Sequence, residues 1–151
     1  INVLEFEREW SKWLGVKYSV FVNSGSSANI LSMLIIREKL KHISKEQGEI
    51  ITTPFGWVSD IAAIMHAGLK PVFVDIKLDT LSMNEHLVED LITKNTKAII
   101  YAPTLGNPGC LDKLLEICSK NNICLIGDFC DSLGSRFNNK ELYEYSIAAS
   151  T

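Results

Sequence analysis

Apolar and polar positions alternate between two spacings along this chain, and the alternation predicts its elements. Leu4, Trp10, Trp13 and Leu14 recur near helical intervals, so residues 3–13 read as an amphipathic helix ended by Gly15. Residues 18–22 form a short apolar run rich in β-formers and read as a strand. The turn Asn23-Ser24-Gly25-Ser26-Ser27 follows. A helix is expected from Ala28 to about Lys41, with Ile30, Leu31, Leu34, Ile35 and Leu40 apolar, and then a polar loop over residues 44–48. Further strands are expected over 49–52, 71–76, 97–102 and 123–128, interleaved with helices over 58–66, 84–93 and 111–120. Ser82 followed by Glu85 reads as a capping box for the 84–93 helix. Residues 136–145 read as a short hairpin or loop.

Strands and helices thus alternate about five times, and the strands are continuous apolar runs, as strands covered on both faces should be. The expected fold is α/β: a mostly parallel sheet in a three-layer α/β/α arrangement, with ligands bound beyond the carboxyl ends of the strands.

Composition narrows the classes. The 151 residues are 46% apolar and 22% charged with a formal net charge of −3, so no basic surface argues for a nucleic-acid or anionic-membrane partner. No apolar run approaches the length of a bilayer span, and the acidic opening residues do not resemble a signal peptide. Cys110, Cys118, Cys124 and Cys130 form no C-x-x-C pair and do not cluster in sequence with His42, His66 or His86. Buried free thiols in a reducing cytoplasm are expected, and no metal site.

Three loops at expected strand ends carry unusual residues. In Asn23-Ser24-Gly25-Ser26-Ser27-Ala28, small residues, hydroxyls and the free amides of a helix start suit a phosphate, although a plain turn with a serine cap explains the same residues. The loop has neither the G-K-[ST] of a Walker motif nor a G-x-G-x-x-G fingerprint. Trp57, in Thr53-Pro54-Phe55-Gly56-Trp57, suits either the wall of a pocket for a flat ring or core packing. Asp128 ends an apolar strand, where a carboxylate needs a partner such as a cationic ring nitrogen, unless it simply caps the next segment; Asp131 follows three residues on. Asp75 also ends a strand and reads as structural. A phosphate cradle, an aromatic lid and a strand-end carboxylate together are what pyridoxal 5'-phosphate (PLP) requires.

These stretches resemble the DegT/DnrJ/StrS-type sugar aminotransferases, fold-type-I PLP enzymes that act on nucleotide-linked keto-sugars. The resemblance rests on Val22-Asn23-Ser24-Gly25-Ser26-Ser27-Ala28-Asn29, Thr53-Pro54-Phe55-Gly56-Trp57-Val58-Ser59 and Gly68-Leu69-Lys70-Pro71-Val72-Phe73-Val74-Asp75. It continues through Thr96-Lys97-Ala98-Ile99-Ile100, Thr104-Leu105-Gly106-Asn107-Pro108 and Asp128-Phe129-Cys130-Asp131-Ser132-Leu133-Gly134-Ser135. It implies that Gly25, Ser26 and Ser27 bind the PLP phosphate, that Trp57 stacks on the ring and that Asp128 pairs with the pyridine nitrogen. Asp131 sits where the aminotransferases usually have Gln or His near the ring's phenolic oxygen. The Ser24-Gly25-Ser26-Ser27-Ala28-Asn29 run, the Thr104-Leu105-Gly106-Asn107-Pro108 stretch and Asp131 are more similar to the 3-dehydrase branch of 3,6-dideoxysugar biosynthesis. Two residues depart from the family pattern: Gly127 replaces an acid, and Phe129 replaces a small residue and is expected to crowd the cofactor.

By the same resemblance, residues 1–151 are an incomplete PLP-binding large domain. It ends before the Schiff-base Lys (His in the dehydrase branch) and before a small C-terminal domain, so it is expected to be inactive alone. Implied partners are a nucleotide-linked sugar, an amino-acid donor for an aminotransferase, and a second copy of the chain. Trp10 and Trp13 are expected at that contact. Two other readings are a non-catalytic self-associating fragment and a generic phosphate- or nucleotide-binding α/β domain.

Overall fold

A computed structural model describes residues 2–40, 47–146 and 149–150. The start of the expected 44–48 loop and Lys41, the expected end of the second helix, lie outside the described residues. The elements run α1 (Val3–Leu14), α2 (Gly25–Leu40), β1 (Glu49–Thr52), α3 (Val58–His66), β2 (Lys70–Phe73), α4 (Glu85–Leu91), β3 (Thr96–Tyr101), α5 (Leu111–Asn121) and β4 (Cys124–Asp128). The antiparallel pair β5 (Arg136–Phe137) and β6 (Lys140–Glu141) follows, then a two-residue strand, β7 (Ala149–Ser150). Five strands form one sheet in the order β2-β1-β3-β4-β7, and every pairing in it is parallel.

Consecutive side chains of a strand point to opposite faces, and the sheet is covered on both. Ile50, Ala98, Ile100 and Ile126 point to one side and pack with Met33 and Ile36 of α2 and Ala63 and Ile64 of α3. Ile51, Ile99, Tyr101 and Leu125 point to the other and pack with Val88 of α4 and Leu111, Leu114 and Ile117 of α5. This is the three-layer α/β/α architecture that the unbroken apolar runs predict.

Several expectations need correction. Residues 18–22 form no strand. A strand needs a neighbour for its amides and carbonyls, and none lies alongside this segment among the described residues. The Phe21 amide instead donates to Glu7 Oε1 of α1 at 2.7 Å, and Tyr18, Val20 and Phe21 are exposed. The second helix begins three residues earlier than its apolar pattern suggests, at Gly25, because Ser24 caps it. Ser82 and Glu85 form no capping box: Asn84 is the cap, its Oδ1 accepting from the His86 amide. A capping box does occur at Glu141 and Glu144, at the short helix over Leu142–Tyr145. All four cysteines are free, but only Cys110 and Cys118 are buried; Cys124 is half-buried and Cys130 exposed. Burial pushes the Cys110 thiol up to about 11 and the Cys118 thiol to about 12.

Candidate functional site

The first helix amides of α2 have no carbonyl a turn earlier to bond. Ser24 accounts for one, its Oγ accepting from the Ser27 amide at 3.2 Å, and the Ser24 carbonyl accepts from the Ala28 amide. The Ser27 hydroxyl is held by Asn23 Oδ1 at 2.7 Å. Gly25 and Ser26 are exposed and Ser27 is half-buried. The serine cap is therefore present: Ser24 opens the helix, and Gly25 and Ser26 stand exposed in its first turn.

After β1, the Thr53 hydroxyl donates to the Phe55 carbonyl, and Gly56 takes a φ of 145° that a side chain rarely adopts. That bend delivers Trp57 at the start of α3, where it is 76% exposed. Exposure on that scale rules out packing in the core of the described residues. A small cleft is lined by Trp57, Asp60, Thr52, Leu81 and Ala102.

Asp128 ends β4 half-buried, on the face covered by α2 and α3. Its Oδ1 accepts from the Cys130 amide at 3.1 Å, and its Oδ2 accepts from Asn29 Nδ2 at 2.7 Å. The same Asn29 nitrogen donates to Asp60 Oδ1 at 2.6 Å. Asn29 lies one turn into the helix that opens with Ser26 and Ser27, and Asp60 lies one turn into the helix that opens with Trp57. One side-chain amide thus ties together the three loops that the sequence singles out. Asn29 and Asp60 themselves escape sequence reading. Asp60 passes for an acid complementing a helix dipole, and Asn29 for a polar position in a half-apolar helix.

Burial, with the charge of Asp128 second, pushes the Asp60 carboxyl up to about 8. Asp128 moves the other way. Burial alone would raise it, but hydrogen bonds from Cys130, Asn29 and Asp60 together hold it below the usual carboxylate range. The two carboxyls are thus pushed in opposite directions, Asp60 up by burial and Asp128 down by its hydrogen bonds.

Asp131 is exposed and is not drawn into this network. Asp75 is exposed and accepts from the neighbouring Ile76 amide, as a structural residue would. Phe129 does not crowd the site. Its ring is buried on the opposite face of the sheet against Tyr101, at a centroid distance of 6.3 Å. It occupies the space a Cβ on Gly127 would fill, so the two departures from the family pattern compensate each other. Among the described residues no group of three or more His, Cys, Asp or Glu is placed to hold a metal ion.

The sequence profile of the DegT/DnrJ/EryC1/StrS aminotransferase family matches residues 1–151. The chain belongs to that family. It is 36% identical over 138 residues to a GDP-4-keto-6-deoxy-D-mannose 3-dehydratase of Escherichia coli O55:H7, covering 91% of this chain and 36% of the relative. It is 31% identical over 146 residues to the UDP-4-amino-4,6-dideoxy-N-acetyl-beta-L-altrosamine transaminase of Helicobacter pylori, covering 97% of this chain and 38% of the relative. Its fold superposes on an E. coli GDP-4-keto-6-deoxy-D-mannose-3-dehydratase holding hydrated PLP, with a TM-score of 0.82 at 36% identity over 91% of this chain and 36% of that one. This DegT/DnrJ/EryC1/StrS chain therefore spans a little over a third of the length of these relatives.

Proposed function

We propose that this chain is the cofactor-binding front part of a PLP-dependent enzyme acting on a nucleotide-linked keto-sugar, either an aminotransferase or a 3-dehydrase. The observation that carries the reading is the convergence on Asn29. That amide joins the helix that follows the Gly25–Ser27 turn, the helix that follows Trp57 and the carboxylate that ends β4. The donor set fits PLP. The Gly25 and Ser26 amides with the Ser26 and Ser27 hydroxyls hold the phosphate, and Trp57 covers one face of the ring. Asp128, kept ionised, pairs with the ring nitrogen and holds a proton there. Asp131 takes the place near the phenolic oxygen that the family resemblance assigns to it. When bound, PLP supplies an electron sink that stabilises negative charge on a substrate carbon.

The residue that separates the two activities, a lysine or a histidine, lies beyond Thr151 in this reading, and so does a small C-terminal domain. An amino-acid donor belongs to the aminotransferase version only. Relatives of both kinds match at 36% and 31% identity, which supports the coarser statement equally in both directions. A lipopolysaccharide-biosynthesis role is consistent with a relative of that name in Salmonella typhimurium, 36% identical over 134 residues.

The enzyme is proposed to be a cytoplasmic homodimer, without a nucleic-acid or membrane partner. Support comes from the net charge of −3 and the four free cysteines, and no described helix is long and apolar enough to cross a membrane. Support for the second copy comes from α1. It buries none of its residues and stacks Phe6, Trp10 and Trp13 along one face. The test is to titrate the full-length protein with PLP and follow absorbance and tryptophan quenching, then assay 3-dehydration and amino transfer on a nucleotide-linked 4-keto-sugar. Stoichiometric binding with one of the two activities is expected. A protein that binds no PLP would sink the reading.

A further inference from the structure

Two carboxyl groups meet at the edge of the sheet, and the proposed function uses only one of them. Asp60 is 6% exposed, and its Oδ1 is 2.6 Å from Asn29 Nδ2. Asp128 Oδ2 is 2.7 Å from the same nitrogen, so the two carboxyls converge on one side-chain amide. Ser59 Oγ, at 3.5 Å from Asn29 Nδ2, is the remaining polar neighbour of that amide. An Asn amide can give one proton to each carboxyl, but it carries no net charge with which to offset two buried anions. A buried pair of like charges at this separation is strongly disfavoured. The arrangement therefore favours one neutral acid and one anion. Asp60 is the more buried of the two and lacks the backbone amide that Cys130 gives Asp128.

We propose that Asp60 is a positioning residue for Asp128: a neutral acid that donates its proton to the Asp128 carboxylate and, with Asn29, fixes it in the orientation that receives a protonated ring nitrogen. This rests on the PLP-binding reading above and adds to it a residue that never touches the ring. The direction of the shifts agrees with the geometry, since burial raises Asp60 while its hydrogen bond helps to lower Asp128. Three donors then converge on Asp128: the Cys130 amide, the Asn29 amide and the Asp60 hydroxyl. Losing a hydrogen bond to a charged group costs about 1.5–3 kcal/mol, or roughly ten- to a hundredfold in an equilibrium that depends on that group.

The experiment uses the full-length protein with Asp60→Asn, Asp60→Leu and Asp60→Ala. The first keeps a donor without a titrating proton; the other two remove it. PLP affinity is measured by fluorescence quenching, and protonation of the ring nitrogen by the NMR shift of 15N-labelled PLP. Asp60→Leu and Asp60→Ala are expected to weaken PLP binding about tenfold or more and to move the nitrogen signal toward the unprotonated position. Asp60→Asn is expected to stay within about threefold of wild type with the protonated signal retained. Leu and Ala differ in volume, so whichever folds serves as the donor-less protein. A donor-less variant that matches wild type in affinity and nitrogen shift overturns the assignment, and so does an Asp60→Asn protein that loses tenfold. Wild-type protein that holds no PLP would instead overturn the functional reading on which the inference stands.

Discussion

At the scale of single residues, three side chains have consequences that can be measured separately. If the proposed function holds, Asp128→Ala in the full-length protein would remove the anion that pairs with the ring nitrogen, and turnover is expected to fall by several orders of magnitude. Steady-state kinetics checks this, with circular dichroism as the control for folding. Trp57 is 76% exposed, so Trp57→Ala is expected to change thermal stability little while weakening PLP binding several-fold. The pairing of a small drop in Tm with a clear drop in affinity separates a pocket wall from a core residue. Gly127 and Phe129 form the third case. A methyl group on Gly127 would lie inside van der Waals contact with the Phe129 ring, which is buried and cannot swing away. Gly127→Ala is expected to cost about 1–3 kcal/mol by overpacking. Combining it with Phe129→Leu should cost less than the sum of the two single changes, which a double-mutant cycle by urea denaturation measures.

At the scale of elements, α1 stands out because it packs so little of itself. Phe6, Trp10 and Trp13 stack at 5.8 and 5.0 Å, and Phe21 meets Phe6 edge-on at 5.2 Å. These contacts join α1 to the 18–22 segment, while the Ser11 hydroxyl donates to Ser19 Oγ. The result is an aromatic ridge whose members Phe6 and Trp13 remain exposed. Replacing Trp10 and Trp13 together with Ala is expected to shift a dimer toward monomer in sedimentation velocity. An unchanged sedimentation coefficient across concentrations would remove α1 from the contact. The 18–22 segment teaches a related lesson. Its β-rich composition is real, but β-propensity describes fitness for a pleated, half-buried surface, and no such neighbour flanks it among the described residues.

For the molecule as a whole, Asp60 couples folding to pH. Its ordinary value is 3.8 and its folded value about 8, so between those values the folded chain holds a proton the unfolded chain has released. Stability should therefore fall as pH rises from about 4 to about 8 and level off above. The groups facing Asp60 are Asp128 on β4 and Asn29 and Ser59 on the helices, and the one charge among them opposes its ionisation. Glu49 and Glu85, held low by partners that include Lys70 and Lys77, act in the opposite sense, but only below the ordinary carboxylate range. Melting temperatures between pH 5.5 and 8.5 are expected to decline in wild type and to run flatter in Asp60→Asn. The layered parallel sheet was legible in the sequence, because strands such as Ile50-Ile51 and Ala98-Ile99-Ile100 are apolar on both faces and only a covered sheet tolerates that. That the turn at Ser24 to Ser27, the indole at Trp57 and the acid at Asp128 stand at element ends was legible too, since each puts costly or conspicuous chemistry there. Asn29 and Asp60 were not, because a polar residue one turn inside a helix looks the same whether it meets water or another acid. Their partners lie 31 and 99 residues from Asn29 along the chain. Only the packing of α2 and α3 against β4 brings those groups within hydrogen-bonding distance, and that convergence pushes one acid up and the other down.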